Sequence, residues 1–438
     1  MKRTCLSSSA LLASLSLSSL ALAQAQPAEP TREQLQQELV ELKARIAKLE
    51  AKAQSDSAVQ ASAQTTKQDV LADAEKRSKL PTGSAGWDKG FFIKSDDGNF
   101  SLRPGVQMQF RYIANLSEDA DGDDHLDSGF ELRRLRFRFD GNAFSPDFTY
   151  SFVFDTNRNG GAVSLLDAWA QYRFDPKWAV KAGQWKESWS HEKDLSFTNE
   201  LAVERSLLDA VLGGNQTDRV QGVALIYGGQ KADAVRVEAA ITDGANSKNT
   251  NFEDTANGDF GLAARGEYKL KGDWADYKDF TAKGAKSDLL VLGVGGDYTQ
   301  AGDSDILRST ADAQWENTTG LGLYGAIHGN FSDGSLGDGT DWGFLAQAGY
   351  LVNKKVEVFG RYDVVLFDDD TVNGDTFNEF TVGANYYLGP DGAYLHRAKF
   401  TLDFVYLPDG APSDQTGLGV LASDEDEFVV RGQFQLQI

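Results

Sequence analysis

The stretch that decides the fold is FELRRLRFRFDGNAF, residues 130–144. Read at a period of two, its apolar and small side chains fall on one face and its charged side chains on the other, as they do along a β-strand. The first face carries Leu135, Phe137, Phe139, Gly141 and Ala143, and the second carries Arg134, Arg136, Arg138 and Asp140. In a water-soluble sandwich the apolar face would turn inward, whereas in a membrane barrel it faces lipid and the charged face lines the lumen. The rest of the chain has to decide between the two.

The same alternation recurs through the chain. Segments that repeat it are found at residues 100–112, 148–155, 260–269, 399–406 and 428–438. Many of the connections between them alternate between long segments, several of them acidic, and short turns, which is typical of outer-membrane barrels with long outer loops and short periplasmic turns. A pair of soluble sheets, the alternative, does not predict that regularity.

About sixteen strands follow from this pattern, and an even number places both ends of the barrel on the periplasmic side. The sequence therefore predicts an all-β protein, an antiparallel transmembrane β-barrel of about sixteen strands over residues 91–438. The connection at residues 271–287 is longer than the turn expected at its place, which leaves the strand count open there.

Residues 1–23 have the features of a secretory signal peptide. Lys2 and Arg3 precede an apolar segment around residues 11–22, and the sequence ALA at residues 21–23 supplies a cleavage site. A membrane anchor is the alternative, but the apolar segment is rich in serine and shorter than the ~20 residues that a spanning helix needs.

Residues 24–58 predict an α-helical coiled coil. Its a and d positions and the preceding turn carry Leu35, Leu39, Leu42, Ile46 and Leu49. In this register the flanking g and e positions pair opposite charges, as with Glu38 and Lys43, which favours a parallel coiled coil over a solitary amphipathic helix. So short a coil needs support from an oligomer formed elsewhere in the protein. A polar linker at residues 59–90 joins it to the barrel.

Composition limits the classes of function. The chain has 43 Lys and Arg against 65 Asp and Glu, a net charge of -22. Nucleic acid is excluded as a partner by this balance, because phosphate backbones bind clustered positive charge. The single cysteine, Cys5, lies within the signal peptide, so the mature protein has no disulfide or thiolate metal site.

Basic residues cluster on the predicted lumen faces, while the acidic excess lies largely in outer loops such as residues 119–127 and 424–427. Arginine suits anions because its rigid fork bonds phosphate or carboxylate oxygens in pairs. The candidate pore-lining residues on these faces are Arg103, Arg111, Arg134, Arg136, Arg138, Lys181, Arg265, Lys269 and Arg308. The alternative is a ladder of arginines neutralised by carboxylates on the same faces, Asp140, Asp155, Asp167 and Glu267, which would give a mixed pore of modest selectivity.

The longest insertion, residues 186–219, is less acidic than the other loops. Selectivity in a water-filled barrel comes from rings of charge and from any loop that folds inside. We therefore expect this segment to fold inward and build the constriction, with an ordinary surface loop as the alternative.

A family resemblance rests on RRLRFRFDGNAFSPDFTYSFVFD, followed by LLDAWAQYRF, KWAVKAGQW and the segment that begins KESW. In this order they resemble the phosphate-selective porins of the O and P type, over most of the chain from about residue 91. The resemblance implies a trimeric sixteen-stranded barrel with arginines along the lumen and lysines at its narrowest point, which passes phosphate-like anions. It implies that Arg133 and Arg134 are the paired arginines that open the second strand. It also implies that Lys181 is a lysine beside the constriction.

Two smaller signals concern metals and catalysis. Acidic residues alternate as in a calcium loop at Asp119, Asp121, Asp123 and Asp127, but the glycine is misplaced and no Glu stands at the twelfth position. Divalent cations that bridge an acidic rim to lipopolysaccharide would need no such geometry. The four histidines show neither metal-ligand spacing nor a catalytic partner, so we expect no enzyme and no cofactor. A barrel lipase would require a lipid-facing Ser and His pair.

The sequence as a whole predicts an outer-membrane porin of a Gram-negative-type cell. We expect a homotrimer that passes small anions such as phosphate by passive diffusion, with its coiled coil in the periplasm. A general or weakly cation-preferring porin is one alternative, and an envelope tether with an incidental pore is another.

Overall fold

A computed structural model describes residues 32, 36–37, 39–52, 67 and 85–438, the last range without 89, 119–123, 157, 159, 214–218, 246, 254–257, 259, 335–337 and 372–373. The predicted signal peptide and most of the predicted linker lie outside the described residues. The chain divides into two units, residues 1–80 and residues 81–438.

In the first unit, residues 39–52 form helix α1. Its apolar stripe is exposed throughout, with Leu39, Leu42, Ile46 and Leu49 all at least half exposed. The sequence pattern predicted a helix here, and the helix is confirmed over this range. A single chain shows no partner helix among the described residues, so the coiled coil stays a prediction. None of the helices in the described part of the chain is long and apolar enough to cross a membrane.

The second unit begins with a hairpin of β1 (Ala85–Trp87) and β2 (Phe91–Lys94), which pairs with the start of β3 through Ile93 and Leu102. Sixteen long strands follow: β3 (Ser101–Glu118), β4 (Asp124–Asn142), β5 (Phe148–Thr156), β6 (Val163–Arg173), β7 (Trp178–Lys186), β8 (Arg219–Gly228), β9 (Val235–Thr242), β10 (Phe260–Lys271), β11 (Leu289–Ala301), β12 (Ser304–Glu316), β13 (Leu321–Asp333), β14 (Gly339–Leu351), β15 (Val356–Thr371), β16 (Gly374–Tyr387), β17 (Ala398–Leu407) and β18 (Glu427–Gln437).

Each of these strands pairs antiparallel with the next, and the last pairs with the first. The seam between β18 and β3 runs from Glu427 opposite Ser117 to Gln437 opposite Gln107, which closes the sheet into a barrel. The predicted sixteen-stranded antiparallel barrel is confirmed. A closed barrel leaves no sheet edge, so every strand finds its hydrogen bonds within the sheet.

Alternation along the strands sorts side chains between the two faces of the sheet. On β17, the outward Phe400, Leu402, Phe404 and Tyr406 are 39–49 % exposed. The inward Lys399, Thr401, Asp403 and Val405 are at most 3 % exposed. An apolar belt on the outer face is what the hydrocarbon of a bilayer covers.

Loop lengths largely follow the predicted alternation in the first half of the barrel and depart from it at several connections of the second half. At the end where short turns were expected, residues 272–288 form a long connection that includes the 3-10 turn Asp276–Lys278, and residues 388–397 form another. At the opposite end, only two residues separate β11 from β12 and β15 from β16. Strands β10 and β11 on either side of this connection pair from Phe260 opposite Gln300 to Lys271 opposite Leu290, with one register shift between Lys269 and Lys271, so the long connection joins neighbouring strands and the strand count stands.

The segment between β7 and β8, residues 187–218, is called the inner loop below. It contains the short helices α2 (His191–Asp194) and α3 (Leu207–Leu212) and the 3-10 turn Phe197–Asn199. Serines cap both helices, since Ser190 Oγ accepts a hydrogen bond from the Lys193 N–H and Ser206 Oγ accepts one from the Asp209 N–H.

A hydrophobic core fills part of the barrel interior. Leu201, Leu207 and Leu208 of the inner loop are fully buried and belong to one cluster with inward residues of the wall. The wall residues of this cluster include Tyr324, Leu345, Phe359, Val365, Phe377 and Val405. The inner loop therefore lies inside the barrel, as predicted, and it is packed there as a protein core is packed.

Candidate functional site: a channel beside the inner loop

The barrel wall holds the inner loop by its backbone. Side chains of β15–β18 bind main-chain groups of the loop at one position after another. Lys399 Nζ donates to Glu200 O (2.5 Å), Asn385 Nδ2 to Leu201 O (2.9 Å), Arg361 to Glu204 O (3.0 Å) and Gln435 Nε2 to Thr198 O (3.0 Å), while Asp403 accepts from Val203 N (2.8 Å) and Asp363 from Leu208 N (2.8 Å). These bonds fix the loop against one side of the lumen, and the loop fills that side.

Inward glycines let the loop approach the wall closely. A Cβ added at Gly295 would lie 2.1 Å from Trp189 O, and one added at Gly343 would lie 2.1 Å from Leu208 Cδ1. No larger residue fits at either position while the loop keeps its place. The two glycines are therefore part of the surface of the wall on which the inner loop packs, which is called the seat of the loop below.

Space remains on the other side of the lumen, between the inner loop and the wall of β4–β9. A cavity of about 520 Å³ lies there. A neighbouring cavity of about 590 Å³ shares many of its lining residues and extends to Trp274, Tyr277 and Lys278 of the long connection after β10. The two cavities together form the open space beside the loop, which is called the channel below.

Around the 520 Å³ cavity, basic side chains outnumber acidic ones by seven to three among the described residues. The basic lining residues of the 520 Å³ cavity are Arg136, Arg138, Arg173, Lys181, Lys186, Arg219 and Arg236. The acidic ones are Asp167, Asp194 and Glu238. The channel wall therefore carries an excess of positive charge although the whole chain is acidic.

Most of these cations have a carboxylate beside them. Lys181 Nζ lies 2.5 Å from Glu238 Oε1 and 4.6 Å from the centre of the Trp185 ring. Arg138 pairs with Asp140 at 2.5 Å, but about half of its side chain remains exposed. Arg173 makes no side-chain hydrogen bond or ion pair with any residue in the described part of the chain, so its guanidinium is available to a solute.

Six of the ten predicted pore residues form two groups. Arg136, Arg138 and Lys181 line the channel. Arg111, Arg133 and Arg134 lie instead around Glu204 of the inner loop, at 2.7, 2.8 and 2.8 Å from its carboxylate oxygens. Arg111 also bonds Glu131 and Gly417 O.

Two further arginines of the ladder are neutralised at the wall. Arg265 binds Asp312 through both of its terminal nitrogens (2.8 and 2.9 Å), and Arg308 donates to Asp297 (2.7 Å). Neither lines the two cavities. The neutralised ladder, the alternative open at the sequence level, named Asp140, Asp155, Asp167 and Glu267, and each of them pairs with an arginine of the lumen face. Their partners are Arg138, Arg136, Arg219 and Arg265 in that order, whereas Arg308 and the group around Glu204 pair with other carboxylates.

The last two predicted pore residues lie near the ends of strands. Arg103 donates to Asp88 O (3.2 Å) beside the β1–β2 hairpin, and Lys269 donates to Lys231 O (3.0 Å) with its ammonium 5.2 Å from the Trp274 ring. Neither side chain lines the channel.

Sequence reasoning missed four of the basic channel residues, Arg173, Lys186, Arg219 and Arg236. The signal for Arg236 was present, because β9 reads VRVEAAIT and alternation places residues 236 and 238 on the lumen face. Lys186 and Arg219 are the residues from which the inner loop leaves and returns to the sheet, where a strand pattern gives little guidance.

The weak calcium candidate gains no support. Asp119, Asp121 and Asp123 lie outside the described residues, and Asp127 is exposed with its carboxylate 3.3 Å from His125 Nε2. Within the described ranges, no group of three or more His, Cys, Asp and Glu side chains is arranged to hold a metal ion.

Two buried carboxyl groups of the inner loop differ in charge. Burial raises the pKa of Glu200 to about 8, with nearby Glu192 adding to the shift. Burial alone would raise the pKa of Glu204 as well, but the guanidinium groups of Arg133, Arg134 and Arg111 hold it well below its usual value. Glu204 is therefore an anion that neutralises part of the ladder, whereas Glu200 carries a proton at neutral pH.

Solved structures with the same fold are porins. The barrel is similar to the anion-selective porin from Comamonas acidovorans (TM-score 0.56, 13% identity, 77% of this chain and 100% of that one). It is also similar to OprB of Pseudomonas putida (TM-score 0.53, 11% identity, 77% and 94%) and to Salmonella typhi OmpF (TM-score 0.52, 12% identity, 78% and 99%). At these identities the likeness shows the fold alone.

A closed sixteen-stranded barrel with a loop seated inside it and a charged channel beside that loop defines a porin of the outer membrane. The model of the family described as phosphate-selective porin O and P matches residues 105–332, and the chain belongs to that family. A relative from Aquifex aeolicus (strain VF5), an uncharacterised protein, is 27% identical over 268 residues. The match covers 55% of this chain and 62% of that relative's length.

Proposed function

We propose that this porin passes small anions, phosphate among them, by passive diffusion through the channel beside the inner loop. The observation that carries the proposal is the excess of basic over acidic side chains around the channel, seven against three. The family to which the chain belongs and the anion selectivity of the Comamonas porin are consistent with this.

The mechanism is electrostatic. An anion that enters a narrow channel loses part of its hydration shell, and that loss costs free energy. Guanidinium groups replace the lost hydrogen bonds, and the low dielectric of the barrel wall strengthens their attraction for the anion. The carboxylates that pair with most of these cations keep the attraction moderate, so that an anion is not trapped on its way through.

The test is the zero-current potential of the purified protein in a planar bilayer across a potassium chloride gradient. We expect a potential on the chloride side, and we expect the double substitution Arg138→Gln with Arg173→Gln to move it toward the potassium side. Lys177→Gln is the control, since it removes an exposed cation of the turn between β6 and β7 that does not line either cavity.

Two outcomes would contradict the proposal. A wild-type potential near zero or on the potassium side would mean that the acidic residues of the rim prevail, which is the general or weakly cation-preferring porin. An equal shift for Lys177→Gln and for the double variant would mean that the basic residues of the channel do not set selectivity.

The assembly is also part of the proposal. We propose a homotrimer in the outer membrane, in contact with lipid and lipopolysaccharide, whose N-terminal helices form a parallel coiled coil in the periplasm. The support is the exposed apolar stripe of α1, which leaves four large side chains in water unless another helix covers them. An envelope tether remains the second candidate function, because the same helix could hold the barrel to another envelope component.

A further inference from the structure

An apolar cluster interrupts the polar lining of the channel wall. Trp185, Val220 and Ala224 are buried together on β7 and β8, and Trp169 and Ala240 pack against them. Alternation places these side chains on the lumen side, since Ala224 lies directly opposite both Lys181 and Ala240 in the sheet. Inward positions of a water-filled barrel are normally polar, so an apolar cluster here requires an explanation.

Trp169 is the member of this cluster that a solute can reach. It lines both cavities, its side chain is only partly buried, and its indole N–H makes no hydrogen bond with a described residue. Gly183 on the neighbouring strand leaves the space for its backbone, because a Cβ there would lie 2.8 Å from Trp169 Cα and 2.2 Å from Ala168 O. Gly183 also has a φ of +127°, which only glycine adopts without strain.

Cations stand on both sides of this indole. Asp167, two residues earlier on the same face of β6, holds Arg219 at 3.0 Å. Gln171, two residues later, lies opposite Lys181 on β7. One small organic molecule can therefore touch the ring of Trp169 and a cation at the same time.

Inorganic phosphate would gain from the cations and from one hydrogen bond to the indole N–H, but nothing from the face of the ring. An anion that carries an aromatic ring would gain from both, through stacking on Trp169 and a charge-assisted hydrogen bond to Lys181 or Arg219. The cavity of about 520 Å³ is also far larger than one phosphate needs and lies in the range of pockets for small organic ligands.

We propose that the channel favours organic anions with an aromatic ring, such as aromatic carboxylates, and that Trp169 is the residue that distinguishes them from small inorganic anions. This inference rests on the proposed anion channel and names its class of substrate.

The test compares benzoate with acetate as blockers of the chloride current through single channels in a planar bilayer. Both are monovalent carboxylates, and only benzoate has a ring. We expect benzoate to halve the current at about a fivefold to tenfold lower concentration than acetate, which is the size of one good aromatic contact. Trp169→Leu should remove this difference and leave block by acetate unchanged.

Two matched variants complete the experiment. Trp178 lies on β7, the strand next to that of Trp169, but on the outer face of the barrel. Trp178→Leu should therefore keep the preference for benzoate. Trp169→Phe keeps a ring at the site and should keep most of the preference. If Trp169→Leu does not fold, Trp169→Met removes the ring in its place and should likewise abolish the preference.

The outcomes separate the two proposals. Equal block by benzoate and acetate in a channel whose zero-current potential lies on the chloride side would overturn this inference and leave the anion channel standing. A potential on the potassium side would overturn the anion channel itself. A preference for benzoate that survives Trp169→Leu would show that the ring of benzoate binds elsewhere and would overturn the role given to Trp169.

Discussion

Glu204 is the residue on which three arginines of the barrel wall depend. Its two carboxylate oxygens accept hydrogen bonds from Arg111, Arg133 and Arg134, and all but Arg133 are almost fully buried. Gathering like charges in a protein interior is unfavourable unless an opposite charge lies among them. The carboxylate therefore joins the inner loop to β3 and β4.

We predict that Glu204→Gln destabilises the seated loop by about 3–5 kcal/mol, because it removes the anion from a buried ionic cluster and leaves the cations behind. The barrel should unfold at a lower temperature on a gel that separates folded from heat-denatured protein, and single-channel currents should become noisier.

Glu131→Gln is the control for that substitution. Glu131 also pairs with Arg111, but it is partly exposed and faces Arg158 as well, so its loss should cost at most about 1 kcal/mol. Equal effects of the two substitutions would contradict the central role given to Glu204.

The sequence identified the arginines of the ladder, but it did not show which of them are paired with a carboxylate. Alternation along β4 identified Arg134 and Arg136 as inward residues, and they are inward. Whether an inward arginine is free depends on groups distant in the chain, and Glu204 lies 70 residues from Arg134. No local sequence pattern predicts such a partner, because the inner loop that carries Glu204 packs against these arginines only in the folded barrel.

At the scale of elements, the inner loop is held against the wall of β15–β18, and Glu200 on that side of the loop is a buried carboxyl group that binds a proton. Glu200 lies 3.7 Å from Arg205 of the same loop, and its carboxylate oxygens have no hydrogen-bond partner among the described residues. Glu192 and Asp209 of the loop and Arg361 of β15 are the other charged groups that act on it. Lys399 of β17 reaches its carbonyl oxygen.

The pH dependence follows from the direction of the shift. Glu200 has a pKa of about 8 in the folded protein and an ordinary pKa of 4.5. Between these two pH values the folded state therefore keeps a proton on Glu200 that the unfolded chain has released. Stability from this group is therefore fully present below pH 4.5 and is lost as the pH rises toward 8. We predict that current noise from the inner loop increases between pH 6 and pH 9.

Glu200→Gln should reduce that increase, because the amide imitates the protonated acid. Burial also raises the pKa of Glu192 in the same loop, to about 7, so a smaller increase should remain. If the substituted channel shows the same increase as the wild type, another group of the loop is responsible.

The strands could be predicted because a membrane barrel imposes one simple rule on each of them. Their apolar face must meet lipid, and a period of two records that requirement in the sequence. The long connection at residues 272–288 obeys no such rule. It is held by contacts inside the barrel, where the Tyr277 ring stacks on His191 at 3.8 Å and Lys278 O accepts a hydrogen bond from Asn199. These partners lie on the inner loop, so only the folded barrel shows why the connection is long.

For the whole molecule, the open question is what covers the apolar stripe of α1. We predict that the full chain migrates as a trimer on a native gel and that deletion of residues 29–58 leaves a conducting barrel. Loss of envelope attachment with unchanged conductance would instead favour the tether. A monomer under native conditions would contradict the proposed assembly.

The seat of the inner loop spans the seam of the barrel. Gln109 of β3 and Gln435 of β18 bond each other at 2.9 Å, and both reach main-chain oxygens of the loop, Phe197 O and Thr198 O. The loop leaves the sheet between β7 and β8, yet part of its seat exists only after the last strand has paired with the first. Closure of the seam therefore completes the surface on which the loop docks, so the closed wall and the loop that narrows its lumen stabilise each other.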